Sequence, residues 1–583
     1  MDKTEKAIRK ANKKLQAAWG DSLNVRRLAD HLVLSGEAPD RVSLVNAGYI
    51  AAKASKTVPG CLVNDATVAG EEPPSPIRLP QVSDTTLDGQ TPDVLVIGGG
   101  IVGCAVAREL TRYTPRVLLL EKENDVALHA SSRNDGMVHP GVDVMKWTDK
   151  YKYNIRGNAM YKDFCAELGV PYRMGGQYLC FPKKVPVFVL HLLTLYWKLF
   201  LKVPVRVLTH KKLFALEPDL NPEINACLQF PTAGSVCPYN LTIACAENAI
   251  GNGAAVALET AALRMDVADG QITAVHTNRG TIYPKLIINA AGVFSEDVAA
   301  MAHDRFFSIH PRRGTNSILD KKFSDSIARD HSSTLFMGAV KGGHTKGGGV
   351  IRTIHDNILL GPDAHEDKEK EDFSTTRESV AGMVNKQRRT SQNIQTGQVI
   401  TYFTGVRAAT FEEDFVVRPG LYTKNILHAA GIQSPGLTAA PAIAQTIANW
   451  AAMFLGAESR PEFQPERKPI IHTSQLPPEE RDRLIRQNPD YGIILCRCEQ
   501  VSKGEILEAL HRPLPCKSVD AVKRRVRAGM GRCQGGFCGP LVAKIIAQDL
   551  GIPLCEVLKN GAGSEILLGS SKELLLAQEV TAG

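Results

Sequence analysis

The stretch Asp93-Val-Leu-Val-Ile-Gly-Gly-Gly-Ile-Val-Gly-Cys-Ala-Val-Ala-Arg-Glu-Leu110 decides the fold. Its short apolar run is that of a strand buried on both faces, as in parallel sheets, and it passes through glycines into a helical pattern. Gly98, Gly100 and Gly103 form G-x-G-x-x-G, and a second strand pattern, Arg116-Val-Leu-Leu-Leu-Glu121, ends on an acid 18 residues after Gly103. That is the full context of a dinucleotide site. Gly98 permits the tight turn, Gly100 lets a pyrophosphate approach the backbone, and Gly103 lets helix and strand pack closely. The helix N-terminus supplies N–H groups and partial positive charge, and Glu121 would accept hydrogen bonds from an adenosine ribose. The fingerprint leaves FAD and NAD both open.

Outward from there, 583 residues with 44% hydrophobic content provide for three or four domains, which excludes a disordered chain or a small disulfide scaffold. Lys and Arg number 69 against 61 Asp and Glu, a mild +8 that by itself selects no class of partner. Thirteen cysteines is an odd number, and nine of them are scattered without a framework, which favours a reducing compartment. Met1–Trp19 carries six Lys/Arg and two Asp/Glu with no apolar core, unlike a secretory signal, and Asp2 and Glu5 argue against a mitochondrial presequence. A cytoplasmic protein is expected.

Residues 1–56 read as a helical N-terminal extension, because Ile8, Ala11, Leu15 and Trp19, then Val25, Leu28 and Leu32, recur at helical spacing. No chemistry attaches to it. Residues 57–91, rich in Pro, Gly, Asp, Ser and Thr, read as a linker, and a globular body begins at 92. Within that body, strands are expected at Ala255–Leu258 and Leu286–Asn289, and a hairpin pairs Arg264–Val267 with Ile272–His276. A second Pro-rich linker, 457–490, leads to a module at 491–583.

Three further segments bear on the cofactor. Ala130-Ser-Ser-Arg-Asn-Asp-Gly-Met-Val-His-Pro-Gly141, Ile287-Ile-Asn-Ala-Ala-Gly292 and Ala429-Ala-Gly-Ile-Gln-Ser-Pro-Gly-Leu-Thr-Ala-Ala-Pro-Ala-Ile-Ala444 resemble the three flavin-contacting loops of the D-amino-acid-oxidase-like superfamily of FAD enzymes. Arg108-Glu-Leu-Thr-Arg-Tyr113, Leu359-Leu-Gly-Pro-Asp-Ala364, Asp372-Phe-Ser-Thr-Thr-Arg377 and Phe403-Thr-Gly-Val-Arg-Ala-Ala409 resemble its glycerol-3-phosphate dehydrogenase/oxidase and L-2-hydroxyglutarate oxidase branch. The resemblance implies an α/β protein: a Rossmann-like FAD-binding domain (about 92–165, 238–305 and 400–456) with an inserted α+β substrate domain (about 166–237 and 306–399). It also implies that Gly292, Gly431, Gly436 and Leu437 lie along the FAD, with Ser131, Arg133 and Asn134 near the pyrophosphate and ring edge. Without the resemblance, close helix–strand packing is the plain alternative for the small residues around Gly292 and Gly436. Asp135 departs from the pattern, since that loop usually carries a small hydroxyl residue, and a carboxylate there disfavours a reduced, anionic flavin.

In the last module, Cys496-Arg-Cys498 and Cys533-Gln-Gly-Gly-Phe-Cys538 form C-x-C, a 34-residue gap and C-x4-C. Four thiolates can enclose a metal centre. Structural zinc knuckles usually pair C-x2-C, so the spacing and the glycine-rich loop favour [2Fe–2S], with zinc as the alternative. Ser502-Lys-Gly-Glu505 has the capping-box pattern, and Asp520–Val526 reads as a second helix. Nine Lys/Arg against four Asp/Glu in Cys496–Pro540 would offset an anionic cluster, and the lack of interleaved aromatics argues against nucleic acid. The segment resembles the bacterioferritin-associated-ferredoxin-like [2Fe–2S] domain. Cys516 and Cys555 read as core thiols.

A flavin takes two electrons as hydride and a [2Fe–2S] cluster passes one at a time, so the pair suits an enzyme that oxidises a substrate and delivers electrons onward. The small anionic hydroxy substrate needs fixed cations, for which Arg312, Arg313, Lys346 and Arg407 are candidates. Arg407 stands first, because its Gly-Val-Arg context resembles the superfamily's substrate-side arginine. His139 could take the hydroxyl proton, and a packing or solvated histidine is the plain alternative. The candidate activities are an FAD-dependent sn-glycerol-3-phosphate dehydrogenase, an L-2-hydroxyglutarate-type dehydrogenase, and a non-catalytic electron-transfer flavoprotein. The acceptor is expected to be a protein or a quinone. Finally, Val185–Val205 has the composition of a membrane segment, yet strands of one sheet precede and follow it, so it cannot span. As a helix it would set His191, Thr194, Lys198 and Lys202 in a polar stripe beside a broad apolar arc. That arrangement fits either a peripheral contact with the inner face of a membrane or a buried core helix or subunit interface.

Overall fold

A computed structural model describes residues 2–142, 144–183, 185–329, 331–334 and 348–572. The N-terminal segment corrects the helical reading: it runs α1 (Lys3–Trp19), β1 (Leu23–Leu28), β2 (His31–Ala38), α2 (Arg41–Ser55), β3 (Leu62–Asn64) and β4 (Thr67–Val68). Val25, Leu28 and Leu32 fall at helical spacing by coincidence. β1 and β2 form a hairpin that closes at Leu28 and His31, with Ala29 at φ 47°, so Val25 and Leu32 enter the core while Leu28 faces out. β3 and β4 pair parallel with β2, so the segment 57–91 is no simple linker. Its low apolar content hides a short strand whose Leu62 and Val63 are buried.

The decisive stretch folds as read. β5 (Val94–Ile97) enters α3 (Ile101–Leu110), and β6 (Val117–Leu120) lies parallel beside β5. The sheet order is Ala255–Ala257, β6, β5, Leu286–Asn289, Ile426–Ala430 and Val416–Pro419, with only the last strand antiparallel. The expected hairpin is present as Ala262–Ala268 and Gln271–Thr277. A nine-stranded sheet forms the wall of the second layer. The expectation that FAD-binding segments resume near 400 is corrected, because Val399–Thr410 pairs along its length with Ile309–Leu319 in that sheet.

The 457–490 segment is likewise no loose linker. Arg108 and Asn248 donate to the Pro465 carbonyl at 3.0 and 3.3 Å, and Arg467 pairs with Glu247 at 2.6 Å. Proline lacks an N–H but keeps its acceptor, so buried donors bind a proline-rich strap through its carbonyls. In the C-terminal module, helix Lys503–Leu510 opens on the Ser502–Glu505 capping box and Val519–Val526 follows. A third helix, Gly539–Leu550, was not anticipated; Val542, Ala543, Ile545 and Ile546 bury its inner face.

The apolar segment forms the helix Val187–Leu199, and the core alternative fails for its outer face. Leu190 and Thr194 point inward, whereas Phe188, Leu192, Leu195, Tyr196, Leu199 and Phe200 are 50–66% exposed. The polar stripe is therefore broken at Thr194.

Candidate functional site

A cavity of about 1180 Å³ runs from the start of α3 to the substrate-layer sheet. At its nucleotide end the glycines are required by contact. A Cβ on Gly103 would sit 1.8 Å from the Gly98 carbonyl oxygen, and one on Gly98, at φ 114°, 2.4 Å from the Ala290 oxygen. Ser131 Oγ accepts from the Ile101 N–H at 2.8 Å, and Gly100 lies against it. Glu121 accepts from the Gly99 N–H at 2.7 Å and the Glu123 N–H at 2.9 Å; burial nevertheless pushes its pKa up. α3 and the helix Gly436–Leu455 both begin at the cavity, so two sets of helix-terminal N–H groups face it. Gly292, Gly436 and Leu437 line the cavity. Gly431 does not line it: at φ 64°, with Thr410 only 2.6 Å from where a Cβ would stand, it shapes the loop from behind. Arg133 and Asn134 line the cavity while bracing their own loop, Arg133 through the Leu128 and Thr404 carbonyls and Asn134 through Ala130 and Ser131. A cradle of unsubstituted glycines, converging amides and a terminal acid fits FAD.

Four cations were candidates for the opposite wall, and the structure separates them. Arg312 and Arg407 are paired in register on neighbouring strands. Arg312 is saturated: it contacts Glu366 at 2.7 Å, Glu413 at 2.5 Å, Gln433 at 3.2 Å and the Tyr49 hydroxyl. Arg313, one residue on, turns to the other face of the strand and binds Asp372, Asp367 and Ser374, so it leaves the cavity lining. Lys346 lies outside the described residues. Arg407 makes, among the described residues, one hydrogen bond, to the Asp363 carbonyl at 3.0 Å, and no ion pair. Gly314 gives it room, since a Cβ there would stand 2.4 Å from Arg407 Nη2. Burial pulls its pKa down, as does Arg312, against the pull of Asp135 and Asp363.

His139 also lines the cavity. Its N–H donates to Thr438 Oγ1 at 2.9 Å, and its carbonyl accepts from Asn154 and Asn158 at 3.3 and 3.1 Å, which pins the backbone that carries the ring. Sequence reasoning missed Lys150 and Glu413. Lys150 reaches Glu413 at 3.3 Å and is pulled down by burial. Burial alone would raise Glu413, but Arg312 and Lys150 hold it at about 2. The acid run Glu412-Glu413-Asp414 soon after Arg407 was the available signal.

In the C-terminal module the four cysteines converge in two pairs. Cys498 and Cys533 sulfurs lie 3.9 Å apart and are exposed, whereas Cys496 and Cys538 are buried. The Cys538 thiol lowers the pKa of Cys496, despite burial, with help from the Gly529 and Glu499 N–H groups. Gly531 is packed on Cys498, where a Cβ would stand 2.2 Å from its own. Four sulfurs in glycine loops rich in N–H donors fit a [2Fe–2S] centre. Cys516 is buried and apart from them, its thiol pushed up to about 11 by burial; Cys555 is only half-buried, not a core thiol. The module docks on the loop after β6: Asp125 takes Arg524 and Arg525 at 2.9 Å each.

Residues 93–450 match the DAO family, FAD dependent oxidoreductase, and residues 494–548 match the BFD-like [2Fe-2S] binding domain. A glycerol 3-phosphate dehydrogenase of Caloramator mitchellensis is 36% identical over 491 residues, covering 82% of this chain and 99% of that protein. A glycerol 3-phosphate oxidase of Mycoplasma genitalium is 28% identical, covering 61% of this chain and 93% of that protein. The dithionite-reduced L-alpha-glycerophosphate oxidase of Mycoplasma pneumoniae, solved with FAD bound, superposes with a TM-score of 0.59 at 25% identity, covering 66% of this chain and 100% of that one. The chain belongs to the DAO family of FAD-dependent oxidoreductases. Its second cofactor is the [2Fe–2S] centre of the C-terminal module, which removes the zinc alternative.

Proposed function

We propose that the protein oxidises sn-glycerol 3-phosphate to dihydroxyacetone phosphate and passes the electrons through its [2Fe–2S] centre to an acceptor. The observation that carries this is Arg407, a cavity guanidinium with uncommitted donors beside a saturated Arg312. The likeness to a glycerol 3-phosphate dehydrogenase over nearly that protein's whole length supports it. When bound, FAD accepts hydride from the substrate carbon and the cluster relays electrons singly. Arg407 holds the phosphate by paired, charge-assisted hydrogen bonds. His139, on its pinned backbone, takes the hydroxyl proton. Arg312, locked between Glu366 and Glu413, orders the wall and leaves Arg407 to the ligand. The test is anaerobic titration. Glycerol 3-phosphate is expected to bleach the flavin; bleaching by L-2-hydroxyglutarate instead, or by neither, defeats the proposal.

We further propose that the acceptor side involves a membrane surface. No helix among the described residues is long and apolar enough to cross a membrane. The outer face of Val187–Leu199, with Phe200 just beyond it, carries six exposed apolar side chains flanked by His191, Lys198 and Lys202, the pattern of a helix lying in a lipid interface. Replacing Phe188, Leu192 and Tyr196 by Ser is expected to abolish co-sedimentation with anionic liposomes and to leave turnover with a soluble acceptor intact. Retained sedimentation refutes the contact.

A further inference from the structure

The N-terminal module lies outside both family matches, which begin at residues 93 and 494. Yet Tyr49, Ala52 and Lys53 of α2, and Lys56, which caps its C-terminus in helical conformation, line the cavity. Their spacing is i, i+3, i+4 and i+7, a single face of the helix. The module is fastened there by contacts that leave little play. A Cβ on Gly48 would stand 2.3 Å from the Phe411 ring. Glu412 accepts from Ser55 Oγ and from the Leu62 N–H, both at 2.8 Å, and Asp65 pairs with Arg305 at 2.7 Å. At the deep end the Tyr49 hydroxyl donates to Glu413 at 2.7 Å and accepts from Arg312.

The outer end of this face is different. Lys53 and Lys56 are exposed, and among the described residues neither joins an ion pair. Met145 and Trp147, 62% and 74% exposed, line the same cavity, so its mouth lies where these exposed side chains border it. The inner cations Arg312 and Lys150 are already balanced by Glu366 and Glu413.

We propose that Lys53 and Lys56 form an entrance guide that draws a phosphate-bearing substrate into the cavity toward Arg407. This rests on the reading that the cavity takes an anionic hydroxy substrate. Two uncompensated cations at the rim raise the local concentration of an anion, an effect that acts over about 8–10 Å at physiological salt and is screened by more. They would act on encounter, so their signature is kcat/KM and its salt dependence.

The test uses the holoenzyme and the variant K53Q/K56Q, in which glutamine keeps most of each stem without the charge. Flavin reduction by sn-glycerol 3-phosphate is followed by stopped flow at ionic strengths of about 0.01 M and 0.5 M. At low salt kcat/KM is expected to fall about tenfold, kcat to change less than about twofold, and the difference to close at high salt. Binding of inorganic phosphate, read from the flavin spectrum, should weaken in parallel. A variant within about twofold of the parent at low salt, with the same salt dependence, overturns the guide. If glycerol 3-phosphate fails to reduce the parent flavin, the proposed activity fails, and the phosphate measurement alone decides the guide: weaker binding in the variant upholds it, equal binding refutes it.

Discussion

Arg407→Ala is expected to lower kcat/KM for glycerol 3-phosphate by roughly 30- to 5,000-fold while the purified variant keeps its FAD. The fall corresponds to about 2–5 kcal/mol for truncating one partner of a desolvated, hydrogen-bonded charge pair. Selectivity follows from position. Arg407 sits on a strand of the substrate-layer sheet, while the glycine cradle and helix N-termini that fit FAD belong to the other layer. Arg312→Ala would read differently, since it removes a shared partner of Glu366 and Glu413, leaving them His310 and Lys150, and is expected to reduce soluble protein as well. Arg407→Lys keeps the charge and loses the planar fork, so an intermediate loss is expected. Flavin content and stopped-flow flavin reduction check these outcomes; unchanged kinetics for Arg407→Ala removes it from the substrate site. A smaller effect is expected for His139→Ala, because water in the cavity can share proton acceptance.

The features legible in the sequence are those whose physics is local. The turn at Gly98 and the close approach at Gly103 need glycine within ten residues of the strand that precedes them, and the four cysteines announce themselves by spacing. The fate of the cations was not local. Arg312 is taken by Glu366 and Glu413, 54 and 101 residues away, and Arg313, turned aside by strand alternation, is held by Asp372, 59 residues away. Neither fact can be read from two adjacent arginines. Val25, Leu28 and Leu32 misled because a tight hairpin can place apolar residues three and four apart, as a helix does. For Val187–Leu199 both faces are apolar, so periodicity could not say which one meets the protein; Leu190 and the rim residues around it decide that only in three dimensions. Tyr49 was invisible for the same reason, since its partners lie 263 and 364 residues along the chain.

Asp125→Asn is expected to loosen the cluster module while leaving substrate oxidation at the flavin nearly intact. Asp125 and Arg525 are buried, and Asp125 binds Arg524 and Arg525 together. Asparagine keeps the shape and the acceptor for the Val126 N–H, which the aspartate receives at 2.9 Å, but leaves two guanidiniums without a counter-charge. Breaking such a pair costs about 3–5 kcal/mol, comparable to the whole stability of a small docked module. Other ties, among them Arg512 to Glu247 at 2.5 Å, Asn124 to the Asn560 carbonyl at 2.6 Å and Lys321 to Glu499 at 3.5 Å, act at other points of the interface. Hydrogen exchange over Val519–Val526 is therefore expected to rise, and cluster reduction after flavin reduction to slow at least about tenfold, given the distance sensitivity of a loosened contact. The pH dependence has a definite sign. Burial alone would raise the Asp125 pKa, but Arg525 and Arg524 hold it below the ordinary carboxylate value. Its contribution to docking is then fully present above about pH 4 and is lost as pH falls through the lowered native pKa. Asp125→Asn should flatten that acid-side loss. Native-like exchange and undiminished cluster reduction in the variant would show that the module is held by its other contacts. The loop from Glu121 to Asp125 links the cavity to the C-terminal module: one end, Glu121, lines the cavity, and the other, four residues on, anchors the helix preceding the Cys533 loop.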